Sequence, residues 1–109
     1  MTDRSLKRVP VVAGLAFIER VRGLAQTFTA ELACERDHQY FMHPIAVRVG
    51  GEKVGYVAPE IARRYYERLL RHEGGVVTCP GRCASAADHA TSGVETLLDF
   101  RGLPVAPAE

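Results

Sequence analysis

The chain has 109 residues, 47% of them hydrophobic, and a formal net charge of +1. That length builds one hydrophobic core and excludes two. The balanced charge excludes a whole-molecule field as the basis for binding nucleic acid, an acidic partner or an anionic membrane, and leaves that work to local clusters.

Three cysteines, Cys34, Cys79 and Cys83, fit a disulfide framework poorly and reduced thiols inside a cell better. No apolar run approaches membrane-spanning length, and the charged residues 1–8 are not followed by a secretory apolar core and cleavage site. The expectation is a cytoplasmic protein with a flexible N-terminus over 1–8, a single domain over 9–100 and a flexible Pro/Ala-rich tail over 101–109.

In chain order, Val9 to Ala16 reads as a first strand buried on both faces, with Phe17 at its end; Pro10 either faces an edge or precedes the strand. Residues 18–25 read as a connector with one helical turn. Phe28, Ala30 and Leu32 then alternate with Thr27, Thr29 and Glu31, a second strand with one wet face that runs to about Cys34. The stretch Glu35 to His43 has neither strand nor helix period, and loops with large side chains serve as binding surfaces or as plugs over a barrel end.

The most legible stretch is Ile45 to Leu70. Ile45, Val47 and Val49 alternate with Ala46 and Arg48, Gly50-Gly51 supplies a two-residue hairpin turn, and Val54 and Tyr56 repeat the buried pattern. A helix over 58–72 follows, with Pro59 and Glu60 in its first turn. Its apolar arc holds Ala58, Ile61, Ala62, Tyr65, Tyr66 and Leu69, and its polar arc Arg63, Arg64, Glu67, Arg68 and Arg71. Gly74-Gly75 ends it. Val76 to Cys79 reads as a strand broken by Pro80-Gly81, residues 84–93 as a surface loop, and Val94 to Phe100 as a last strand. The sum is an α+β, mainly β chain: a small OB-like or SH3-like β-barrel of about six strands with one amphipathic helix.

The order of these features resembles the HIRAN domain family, found at the front of helicase-like repair ATPases and as a stand-alone bacterial module. The residues that carry the resemblance are Gly-Leu-Ala-Phe at 14–17, the Arg/Asp-rich loop running into His-Pro-Ile-Ala-Val at 43–47, and above all Val54-Gly55-Tyr56-Val57 followed by Pro59-Glu60-Ile61-Ala62. It covers residues 9–100. The resemblance implies an OB-like barrel and recognition of single-stranded DNA, at free 3′ ends in some members, in a repair or processing context. The family's nucleotide-stacking aromatics fall on Phe17 and Tyr40. Where a typical member follows the loop aromatic with an aspartate, this chain has Phe41, Met42, His43 and Pro44, and the position before Phe17 is Ala16 where a DNA-binding member carries arginine.

Together with the resemblance, which supplies Phe17, the residues nominate a nucleic-acid face of Phe17, Arg36, His38, Tyr40, Tyr56 and Arg63, because base stacking wants a supported ring beside cations. Against this stand Phe41 and Met42 as a plug over the barrel, and the helix arginines as a solvated face tempered by Glu60 and Glu67. Arg20, Arg22, Arg48 and Lys53 form a second basic group. Cys79 and Cys83, read as flanking a turn, with His89 or His72, are weak zinc candidates because only one thiol pair is present and its spacing is wide. Phosphate-cradling loops, a serine elbow and paired carboxylates are all missing from the sequence, so no catalysis and no small-molecule substrate are expected. The alternative readings are a protein-interaction or adaptor module that kept the fold and lost the nucleotide pocket, and a small zinc-binding domain.

Overall fold

The computed structural model describes residues 9–12, 17–35, 42–72, 75–83 and 96–105. Six strands, β1 (Val9–Val12), β2 (Thr27–Cys34), β3 (Ile45–Val49), β4 (Glu52–Val57), β5 (Val76–Cys83) and β6 (Thr96–Leu98), accompany two helices, α1 (Ile18–Arg22) and α2 (Pro59–Arg71). The strands close an antiparallel barrel in the order β1-β4-β3-β2-β5-β6, with β1 pairing β6. This is the mainly β, OB-like barrel with one principal helix that the residue pattern predicts. Among the described residues no helix is long and apolar enough to cross a membrane.

The barrel interior follows from strand alternation. Leu32 pairs with both Val47 and Val77, Ala30 pairs with Cys79, and Val9 pairs with Leu98, so paired apolar side chains form rows around the inside. Leu32, Ile45, Val47, Val54, Val57 and Leu98 are fully buried, each contributing about 1.5–3 kcal/mol by leaving water. Helix α2 closes one end: Ala62, Tyr65 and Leu69 are buried, and the Tyr65 ring meets Phe100 edge-on at 5.1 Å. Beyond the last strand, Leu103 and Val105 pack against this core.

The β3–β4 hairpin turns at Gly50 and Gly51, with φ of 60° and 83°, values that two-residue turns demand and side chains resist. Its register contains a bulge: Val47 pairs with Gly55 while Arg48 pairs with Lys53, leaving Val54 as an extra residue in β4. The bulge corrects the simple alternation expected for Val54 and Tyr56. Both side chains are buried, as the pattern predicts, but on opposite sides of the sheet: Val54 enters the barrel core, whereas Tyr56 pairs with Ala46 on the side that carries Lys53 and Arg48.

Two further expectations are corrected. Phe17 does not end a strand but caps α1, with φ −127° and ψ 30°. Strand β5 is not broken at Pro80-Gly81 but continues to Cys83. Pro80 is tolerated because its side chain is exposed and its carbonyl accepts the Asp99 N–H at 2.9 Å. Gly81 is required there because a Cβ would lie 2.3 Å from the Phe28 ring.

Candidate nucleic-acid interface

Where β2 ends, the ladder to β3 is extended by one bond, from the Glu35 N–H to the Pro44 carbonyl at 2.9 Å. Glu35 therefore sits two residues beyond Ala33, in a row where Ala33 pairs with Ala46 and Ala46 with Tyr56. The two alanines leave room above the sheet, and the Tyr56 ring and the Glu35 carboxylate meet in that space. Lys53 joins them because of the bulge.

The result is a closed ring of hydrogen bonds. The Lys53 ammonium donates to Glu35 Oε2 and, at 2.9 Å, to Tyr56 Oη, while the Tyr56 hydroxyl donates to Glu35 Oε1 at 2.6 Å. The Lys53 and Glu35 side chains are 24% and 22% exposed, so the ion pair is sheltered but open on one side. Lys53 Nζ lies 5.0 Å from the Tyr56 ring centroid. With the nitrogen hydrogen-bonded to the phenol oxygen, the cation sits beyond the ring edge and the contact is a hydrogen bond more than a cation–π interaction.

Burial alone would push the Lys53 ammonium down. Its hydrogen bonds to Glu35 and Tyr56, with the Glu35 charge, reverse this and hold it above the usual lysine value. Burial raises the Tyr56 phenol, and its bond to Glu35 adds to the shift while Lys53 opposes it. Tyr56 is thus a neutral donor.

Helix α1 supplies a second cation. Arg20 Nη1 donates to the Lys53 carbonyl at 3.0 Å, its Nε lies 3.5 Å from Glu52, and its guanidinium carbon is 5.7 Å from the Phe17 ring centroid. The Arg20 side chain is 46% exposed, which keeps it available to solvent and ligand. A hollow of about 520 Å³ opens beside Arg20, floored by Leu24, Phe28, Val49 and Val54 and rimmed by Glu19 and Glu52. A second hollow, of about 430 Å³, lies over β2, β5 and β6 and includes no member of the cluster.

Helix α2 reaches the cluster through Tyr66, whose hydroxyl donates to the Glu35 carbonyl at 2.9 Å and whose ring meets His43 edge-on at 5.4 Å. The Tyr66 carbonyl in turn accepts a contact from Cys34 Sγ at 3.5 Å.

Of the residues nominated by sequence, the structure links Phe17 to the strand of Tyr56 through the bond from Arg20 to the Lys53 carbonyl; the Phe17 side chain is half-buried, and Tyr56 is buried, with 7% of its surface exposed. Arg36, His38 and Tyr40 lie outside the described residues. Arg63 is exposed on α2, and the contacts that tie α2 to the cluster run through Tyr66. Glu35 and Tyr66 went unnominated. Their polar roles depend on what faces them across the sheet, and sequence spacing carries no such signal.

The zinc candidates separate. Cys79 and Cys83 lie four residues apart in one extended strand, roughly 13 Å along it, too far for one ion to bind both sulfurs. Cys79 is in the core, Cys83 Sγ contacts the Ala25 carbonyl at 3.4 Å, and His89 lies outside the described residues. Among the described residues no group of three or more His, Cys, Asp and Glu side chains could hold a metal.

No protein-family model, curated protein or solved structure matches the chain.

Proposed function

We propose that this protein is a non-catalytic module that binds single-stranded nucleic acid, single-stranded DNA in a repair or processing context being the first ligand to test. The observation that carries the reading is the span of Arg20, from the Phe17 ring to the Lys53 carbonyl. It links the exposed Arg20 and the half-buried Phe17 ring to strand β4 of an OB-like barrel, where Lys53 and the buried Tyr56 lie. A base stacks on an accessible ring beside a cation that meets the backbone, as Phe17 stands beside Arg20, each stacked base contributing about 1–3 kcal/mol. The resemblance to HIRAN domains points the same way.

The deciding measurement is fluorescence anisotropy of labelled short single strands, with free or blocked 3′ ends, at low and moderate salt. Saturable micromolar binding that weakens with salt is expected. Absence of binding at low salt overturns the reading, and equal affinity for blocked and free ends removes end recognition while keeping nucleic acid.

One observation favours a second reading, a protein-interaction module. Met42, beside the cluster's His43, is 89% exposed, an apolar side chain of the adaptable kind used at protein-binding surfaces. A module of that class binds a protein and leaves the labelled strands free.

A further inference from the structure

The Lys53 cation that a nucleic-acid phosphate would seek is already held by a carboxylate. Glu35 Oε2 accepts from Lys53, Glu35 Oε1 accepts from Tyr56 at 2.6 Å, and Lys53 donates in addition to Tyr56 at 2.9 Å. Both carboxylate oxygens are thus engaged in a partly sheltered site, and the Glu35 backbone is held as well, its N–H bonding Pro44 and its carbonyl accepting from Tyr66. The carboxylate does not swing away as a free surface glutamate would.

Resting on the nucleic-acid reading above, we propose that Glu35 is a specificity-determining residue: a fixed internal carboxylate that occupies Lys53 in place of phosphate. Lys53 then serves to position Tyr56 and Glu35, and backbone charge is met not by Lys53 but by Arg20, whose own carboxylate contact, with Glu52 at 3.5 Å, is long and solvent-exposed and so easily exchanged for phosphate. The physical basis is charge balance. One ammonium and one carboxylate in contact present no net charge, and a phosphate approaching Lys53 meets Glu35 at similar range, where like charges repel. A neutral polar group of a base or sugar meets no such penalty, because the ring offers it both donors and an acceptor. The cluster therefore favours the uncharged parts of a nucleotide and keeps the phosphate on the Arg20 side.

Salt titration separates these roles, because each phosphate neutralised on a single strand adds about 0.7 to the slope of log affinity against log salt. The probe is a labelled oligothymidylate of about ten nucleotides, within the reach of one OB-like fold. The proteins are wild type, Glu35→Gln, Glu35→Asp and Lys53→Met, each first checked for a cooperative melt.

Glu35→Gln frees Lys53 for phosphate. Its slope is expected to steepen by about 0.7, with binding roughly fivefold tighter at 0.1 M salt. Glu35→Asp keeps the charge and the wild-type slope, and Lys53→Met alters affinity through its lost bonds but leaves the slope unchanged.

An unchanged slope in Glu35→Gln overturns the proposal, as does a shallower slope in Lys53→Met, which shows Lys53 on phosphate in the wild type. If the glutamine variant does not fold, the Lys53→Met slope decides alone. Wild-type binding with the wrong slopes sinks only the role of Glu35. Silence from every protein sinks both readings, and so does binding by Glu35→Gln alone, because the wild type then has no nucleic-acid ligand for Glu35 to select.

Discussion

Lys53 and Tyr56 stand three residues apart on one strand, yet Lys53 Nζ donates to Tyr56 Oη at 2.9 Å. In a regular strand residues three apart point to opposite faces. Here the extra residue at Val54 restores them to one face, and the same bulge turns Val54 into the core. Both the packing of β4 and the polar cluster beside it thus depend on one irregularity.

Tyr56→Phe tests that cluster. The substitution keeps the ring and removes a hydroxyl that donates to Glu35 and accepts from Lys53. Bonds to charged groups contribute about 1.5–3 kcal/mol when buried, but this ion pair is open on one side. A loss of about 1–2 kcal/mol is expected in urea denaturation, with an unchanged m value.

The bulge itself rests on Gly55. At φ 155°, a Cβ there would lie 2.5 Å from Val11 Cγ1 and 2.6 Å from the Val12 carbonyl oxygen. Neither atom is the far end of a flexible side chain, so β1 must shift or the pairing must open. Gly55→Ala is expected to cost about 2–4 kcal/mol, the sum of overpacking and backbone strain. A thermal melt shows it, and a variant as stable as wild type would contradict the close approach of β1 to β4.

Alkaline pH should destabilise the protein through its buried thiols and the Lys53–Tyr56 pair. Lys53 is held above 10.5 and Tyr56 above 10.0, while burial pushes the Cys34 thiol up to about 11, with Glu67 adding, and the Cys79 thiol up to about 12, with Asp99 adding. In every case the folded state holds its proton more tightly than the unfolded chain. Their contribution is complete below the ordinary thiol value of 9.0 and is lost as pH rises through the folded values. Denaturation midpoints measured from pH 7 to 11 should fall above about 9.

The same thiols predict slow chemistry. Only thiolate reacts, so native Cys34 and Cys79 should resist iodoacetamide at pH 8 and become labelled on unfolding. Protein purified without added metal should carry zinc at a level near zero, with a melt that chelator does not move, because Cys79 and Cys83 cannot share one ion.

How much of this was legible beforehand differs by element. The hairpin at Gly50-Gly51 and helix α2 were readable because their signals are local: positive-φ glycines, Pro at the first turn and an apolar arc at helical spacing. Strand β2 was readable because one face is wet and the other dry. Strand β5 misled because Pro80-Gly81 is a turn signal when read alone. It becomes a strand because Phe28 of β2 fills the space above Gly81 and Asp99 bonds the Pro80 carbonyl.

Among the candidate site residues, Phe17 and Tyr56 could be nominated as aromatic rings, but not the company they keep. Glu35, Lys53 and Tyr56 lie up to 21 positions apart, and Arg20 reaches across 33 positions to the Lys53 carbonyl.

The sequence by itself determined the periodicities, the turn glycines and the helix start, since each is a preference of the chain over a few neighbours. Strand order, the closure of β1 on β6, the bulge at Val54 and the joining of Glu35 to Lys53 were decided only in the tertiary structure. Each of these depends on which distant backbone lies alongside, and on the burial that makes an unpaired lysine or glutamate costly enough to find its partner.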